Sequence, residues 1–552
     1  MKSRIAVPTL GLFLSAASLT ALAQPAPIYD IVIRNGRLLD GSGNPWIDAD
    51  VAIKDGRFVK IGRVAGRGVR EIDARGDYVS PGWIDMMDQS GEVLLKNGLA
   101  ENKLREGVTS AIAGEGGTPV PSAQISDYFK KLEAQGISLN FGTYYSSGQA
   151  RVEVMGDVAG RPTAEQLDAM KVHVDEAMRA GTMGIATALI YPPDSFQSTE
   201  DLIELSRVAA KHGGIYASHM RDESAKLLQA IGESIEIGEK TGIQVEIFHF
   251  KGAYAPGWGK LVPQAGELIE AARARGVNIA ADMYVYTAGG TGLDITVPNW
   301  VWEQGAKTGL ERLKDPQVRV RLKKELAAGS APGWSNLVQA SGGWDHVVLA
   351  NAFNPKYDQY RFKSIEYIAK QLKQDPADVS WDIVLGAQPN RAMGLYFMMS
   401  EPDIATALRW PWMSIGSDAG ANEAPGKIDA IGLPHPRAYA NFPRVIAEYV
   451  KKRHVLTLED AIRKMTSWPA TRMRLYDRGV VREGSKADVT IFNEERLDDV
   501  ANYENPTAYP TGIDYVLVNG KMVIEQGRHT GAKPGQVLRG AGYDSTVARP
   551  SP

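Results

Sequence analysis

Two histidines in this chain stand where apolar runs end. His219 closes IYASH and His249 closes VEIFH, 30 residues apart. That spacing is one strand–helix repeat, so two neighbouring parallel strands would bring both imidazoles to the same edge of a sheet. Neutral imidazole is the commonest protein ligand for Zn²⁺. The plainer alternative for either one alone is a hydrogen-bonded, partly buried histidine. Asp418 ends a third apolar run, WMSIGSD. Beside two ligand histidines it fits a general base that takes a proton from an activated water. Glu115 lies in AIAGEGGT, where glycines let the backbone pass close to a bound group and leave the carboxylate free to turn inward. Alone it reads as an acidic turn; the two histidines make it a ligand candidate. His435, in GLPHPRAY, reads equally as a substrate contact or a loop residue.

These residues need strands to position them. Apolar runs at 82–87, 109–113, 139–145, 183–189, 215–219, 245–249, 279–283 and 413–417 alternate with helical periods such as 163–180, 199–212 and 224–241. Thr163 and Gln166 have the spacing of a capping box, and Ser224 precedes the third helix as a cap. Eight strands with helices between them predict an α/β fold, a (β/α)8 barrel over residues 81–474, whose catalytic side chains sit at the C-terminal strand ends. Residues 289–410 are too many for a loop and form an insertion, a lid or subdomain, with helices at 315–328 and 364–374. Both ends of the chain read as short strands with Asn-Gly and Asp-Gly turns. They predict one composite β-sandwich domain from residues 24–80 and 475–535.

Bulk properties narrow the partners. The 552 residues carry a formal net charge of −3 and no cysteine. Disulfides and thiolate ligands are excluded, and nothing is basic enough for a nucleic-acid surface. Residues 1–23 read as a signal peptide. Lys2 and Arg4 precede an apolar run that ends in Ala21-Leu22-Ala23, a small-x-small cleavage site. The run is short for a membrane span, so no stable membrane anchor is expected, and the mature chain is periplasmic or secreted.

The chain resembles the D-aminoacylases, the N-acyl-D-amino-acid deacylases of the amidohydrolase superfamily. The residues that carry the resemblance include YDIVIRNGRLLDGSG (29–43), SPGWID (80–85), GVTSAIAGEGG (107–117), YASHMRDE (216–223), IFHFKG (247–252), ADMYVYTAG (281–289), SIGSDA (414–419) and the 464–492 segment. They span essentially the whole mature chain, in order. The resemblance implies metal ligands at His219 and His249 and a catalytic Asp at Asp418. It also implies a substrate-binding lysine at Lys251 and a tyrosine pair at Tyr284 and Tyr286. The family's second-strand Cys falls at Gly116, with Glu115 its neighbour. Its first-strand His-x-His, which supports a second metal, falls at Met87 and Gln89.

Neither Met87 nor Gln89 is a good Zn²⁺ ligand, whereas His₂Glu plus water is a known open catalytic arrangement. The expectation is therefore a zinc-dependent amidohydrolase with one Zn²⁺ held by Glu115, His219 and His249. Asp85 and Asp88 leave a carboxylate ligand from the first strand open. Lys251, Arg221, Tyr284, Tyr286 and His435 are the expected substrate contacts, and two cations favour a small anionic amide such as an N-acyl amino acid. Arg221 reads equally as a salt-bridge partner of Glu223. The alternatives are a lactone, ester or other amide hydrolase on the same barrel, or an inactive binding protein. Oligomeric state is not legible.

Overall fold

The terminal strands follow their alternation. A computed structural model of the protein describes residue 1 and residues 28–331, 333–422 and 434–546; the expected signal peptide lies outside the described residues, apart from Met1. Strands β1 (Ile28–Leu38), β2 (Ile47–Lys54), β3 (Arg57–Gly62), β4 (Arg67–Asp73) and β5 (Tyr78–Pro81) open the chain. Asp55 and Gly56 both have positive φ, 50° and 73°, as the tight turn from β2 to β3 requires. Asn35-Gly36, expected as a turn, lies instead inside β1. Asn35 takes a left-handed φ of 56° and donates its N–H to Asp50 Oδ1, and the β1–β2 register shifts there as in a bulge.

Parallel strands follow: β6 (Trp83–Asp88), β7 (Val108–Ala113), β8 (Asn140–Thr143), β9 (Tyr145–Ser146), β10 (Gly184–Ala188), β11 (Ile215–His219), β12 (Gln244–Ile247) and β13 (Ile279–Met283). Next come β14 (Ala288–Gly292), β15 (Val347–Asn351), β16 (Met393–Phe397) and β17 (Met413–Ile415). The chain closes with β18 (Val489–Phe492), β19 (Ile513–Val518), β20 (Lys521–Glu525) and β21 (Arg528–His529). Parallel pairing runs β6-β7-β8 and β9-β10-β11-β12-β13-β17. The chain passes directly from β8 to β9. A parallel bridge from Asp88 to Ala419 and the bond from Asp418 N–H to Met87 O bring the β17 end back to β6.

Helices Ala164–Ala180, Thr199–Lys211 and Leu227–Thr241 connect these strands and pack against the sheet. Thr163 and Gln166 form the capping box. Ser224 is not a cap: its hydroxyl donates to Asp222, and the helix begins three residues later. Between β13 and β17 lies a unit with its own buried cluster around Trp381. It carries the helices Pro316–Ala328 and Ile365–Leu372 and a three-stranded antiparallel sheet, β14-β16-β15. The terminal strands join in one sheet, because β5 pairs antiparallel with β18. The shared core sets Ile33, Val51 and Phe58 against Val489, Ile491 and Leu517.

Candidate metal centre and active site

His219 is the last residue of β11, and His249 lies two residues past β12. β11 and β12 are adjacent and parallel, so the two rings meet with centroids 4.4 Å apart. His249 takes a left-handed φ of 34°, fixed by its N–H donating to Asp282 Oδ1 at 2.9 Å. Glu115 follows β7 after Gly114, whose φ is 107°. A Cβ at Gly114 would press on the Tyr144 backbone, so the turn that aims Glu115 requires glycine. Glu115 Oε1 lies 2.7 Å from His219 Nδ1 and 3.1 Å from His249 Nε2.

One oxygen and two nitrogens within 4.8 Å of one another are a donor set for a divalent cation. Tetrahedral zinc at ~2.0–2.2 Å from each would separate them by ~3.3 Å, a slight opening of the present geometry. Burial opposes ionisation of Glu115, but hydrogen bonds from both imidazoles outweigh it and hold its pKa well below the usual carboxylate range. Burial and Lys251 push His249 down, yet Asp418, Glu223 and Glu115 overcome them and raise it to about 10.

Glu223, buried and read in the sequence only as a candidate partner of Arg221, backs this set. Its carboxylate lies 3.1 Å from His249 Nδ1 and takes both oxygens' bonds from Lys251 Nζ, at 2.7 and 2.8 Å. A carboxylate on the far nitrogen of a ligand histidine fixes ring and tautomer. Its sequence signal was the i+4 spacing from His219. Lys251, expected on the substrate, is engaged from behind by Glu223 and His249 Nδ1 (2.7 Å).

Asp418 stands past the end of β17 with φ 51°. Its Oδ1 accepts from Gln89 Nε2 at 2.8 Å, and Oδ2 pairs with Arg437 at 2.9 Å. Gln89 Nε2 also donates to Glu115 Oε2 at 3.1 Å. Gln89 therefore links the two carboxylates by a neutral amide, while Met87 is buried among Met86, Ile112 and Tyr144. Asp85 and Asp88 are not free as ligands. Both are buried around Lys103 Nζ, at 2.9 and 3.2 Å, and Asp85 also holds the Ser417 N–H and hydroxyl.

The remaining expected contacts divide. Arg221 does not face this site. Its guanidinium forms a two-point pair with Glu233, at 2.8 and 3.1 Å, and donates to the Ser195 and Gln197 carbonyls; its acidic partner is not Glu223. Tyr286 is buried against Arg444, His435 and Tyr503. Tyr284 lies under Arg437 (4.5 Å) and Lys251 (5.6 Å). His435 donates from Nε2 to Ala288 O and accepts the Arg437 N–H at Nδ1, and burial holds it neutral. Beside it, Arg437 is 6% exposed, and its Nε has no hydrogen-bond partner. Glu115, His219, Asp418, Gln89, His435 and Arg437 line one cavity of about 210 Å³. Arg437 lay two residues past a histidine already singled out.

Known proteins share this chain's plan. Residues 382–524 match the amidohydrolase family. The D-aminoacylase of Alcaligenes xylosoxydans xylosoxydans is 30% identical over 533 residues, 92% of this chain and 97% of that one. The N-acyl-D-glutamate deacylase of the same organism is 30% identical over 540 residues, 94% and 98% of the two chains. Among solved structures, a D-aminoacylase with a binuclear metal centre, described as showing one-metal activation and second-metal attenuation, superimposes with a TM-score of 0.77. It is 30% identical, over 93% of this chain and 100% of that one. The N-acyl-D-glutamate deacylase of Bordetella bronchiseptica, complexed with zinc and a phosphonate mimic of the tetrahedral intermediate, gives 0.77 at 27% identity. The chain belongs to the D-aminoacylase family of amidohydrolases, which are metal-dependent hydrolases of amide bonds.

Proposed function

We propose that this protein hydrolyses the amide bond of N-acyl-D-amino acids with a single zinc ion held by Glu115, His219 and His249. The observation that carries the reading is the meeting of both imidazoles on one Glu115 oxygen, with Asp418 tied to the same carboxylate through Gln89. A zinc ion there supplies a Lewis acid for the scissile carbonyl and lowers the pKa of water towards ~7. Asp418, fixed on both oxygens, takes the proton from the attacking water and returns it to the leaving nitrogen. Arg437, which lines the same cavity and pairs with Asp418, is the cation placed to bind the substrate carboxylate. His435, held neutral, adds no competing charge.

A one-metal centre is supported by the amide at Gln89, the burial of Met87 and the ion pairing of Asp85 and Asp88. The parallel strands support a closed (β/α)8 barrel over residues 81–474, with 289–410 as an insertion beside the site. The terminal strands support one composite domain from residues 24–80 and 475–535. Export to the periplasm or medium rests on the signal-like residues 1–23.

The test is a hydrolysis screen of the zinc-loaded protein on matched N-acyl-D- and N-acyl-L-amino acids and on lactones. Release of the D-amino acid with little turnover of the others is expected. Lactone hydrolysis without amide hydrolysis would contradict the proposal.

A further inference from the structure

We propose that the protein is built for substrates with a bulky, uncharged acyl group, a medium-chain alkanoyl or an aryl-alkanoyl, rather than acetyl. This rests on the deacylase reading above and names its substrate class. A second cavity, about 580 Å³, also reaches Glu115, and Arg437 is not in its lining. Its wall is mostly apolar: Ile295, Val297, Trp302, Leu310 and Val384, all from the unit between β13 and β17. Gly116 also lines it, and a Cβ there would meet nothing within 4 Å. Glu115, Tyr191 and Arg391 line both cavities. Arg391 lies over the Tyr191 ring at 5.5 Å, and the Tyr191 hydroxyl bonds to Thr291 at 2.8 Å.

The large cavity has acids in its wall, yet each is engaged. Asp157 accepts the Ala306 N–H at 3.0 Å, and Asp194 accepts the Ala188 N–H at 2.8 Å. Asp294 pairs with Arg391 at 3.0 Å, which neutralises the one cation of the lining. With several acids and one paired cation, this lining repels a carboxylate, whereas the smaller cavity sets Arg437 beside a single partner, Asp418. A substrate with its carboxylate at Arg437 and its carbonyl beside Glu115 has the larger cavity, which also reaches Glu115, as the place for its acyl group. That volume lies in the range that encloses a drug-sized apolar group, far more than a methyl. The reaction is unchanged: water adds across the C–N bond, and the products are the acyl carboxylate and the protonated amine.

The experiment uses the zinc-loaded full chain with N-acetyl, N-octanoyl and N-phenylacetyl derivatives of one D-amino acid, following release of that amino acid. A buried methylene is worth about fourfold in affinity, so kcat/KM for octanoyl should exceed acetyl by at least about tenfold, chiefly through KM. Ala306→Trp, at an exposed rim position, should cut the octanoyl and phenylacetyl values by at least about tenfold and leave acetyl within about twofold. Equal or better turnover of the acetyl substrate overturns the inference and leaves the deacylase reading intact. So does an Ala306→Trp variant that affects all three substrates alike. Absence of turnover on every member overturns both.

Discussion

Gln89 occupies the place where the family resemblance put a second metal's histidine, and it does a related job without charge. Its amide donates to Glu115 and Asp418 together, so two carboxylates face one another without direct repulsion. Gln89→Leu removes both bonds. A hydrogen bond to a charged group is worth ~1.5–3 kcal/mol, so kcat should fall about tenfold to a hundredfold while zinc content stays at one; steady-state kinetics with metal analysis reads both. Asp418→Asn keeps the shape and loses the proton acceptor. Turnover should fall by ~10²–10⁴-fold with the zinc retained, and near-normal turnover would remove Asp418 from the role. Glu115, His219, His249 and Asp418 were legible in sequence because each closes, or nearly closes, an apolar run. Glu223, Arg437 and Arg391 were not, because they reach the site from a loop, from the start of the helix Arg437–Arg444 and from the unit between β13 and β17. Side-chain direction also hid the true neighbours of Lys251 and Arg221: each is a cation near a ligand histidine in sequence, yet Lys251 is bound to the buried Glu223 and Arg221 to Glu233.

One element that braces the site is the short helix Glu101–Arg105, which packs against β7. Its Lys103 is fully buried and joins Asp85 and Asp88 of β6 to Ser417 and the Ala419 carbonyl past β17. Lys103→Met leaves two buried carboxylates uncompensated, a change that costs about 3–5 kcal/mol. Urea unfolding should show that loss, and wild-type stability in the variant would mean the cluster does not brace the strands. Next to it, burial pushes the Glu106 carboxyl up to about 8 despite Lys103. A carboxyl raised on folding stabilises the protein below its unfolded pKa, near ~4.3, and that contribution is lost as pH rises towards 8. Glu106→Gln should therefore flatten the fall of Tm between about pH 5 and 8, and an unchanged slope would assign it to other groups. The parallel strands were legible from apolar runs of five to seven residues. The β14-β16-β15 sheet was not: AGGTG of β14 has almost no side chain to show alternation.

At the scale of the molecule, the two ends of the chain depend on each other. The β5–β18 pairing makes one sheet of nine strands from residues more than 400 apart. Removing everything from Leu475 onwards would expose the β5 edge and the faces of Ile33, Val51 and Phe58. The expected outcome is insoluble protein; a soluble, cooperatively folding truncation would contradict the shared core. This pairing was legible because similar strand-rich, Asn-Gly-punctuated segments bracket a long α/β middle. The apolar wall of the large cavity was not, since its residues are scattered from Ile295 to Val384 and meet only in the fold.

The decisive measurement is zinc content and D-amino acid release on the same samples of wild-type and Glu115→Gln protein, with and without added Zn²⁺. If Glu115, His219 and His249 form the one working metal centre, the wild type holds one zinc per chain. The variant then loses most of its zinc and its turnover, and excess Zn²⁺ restores part of both. A variant that keeps full zinc and full turnover would contradict the assignment, as would two zinc ions in the wild type.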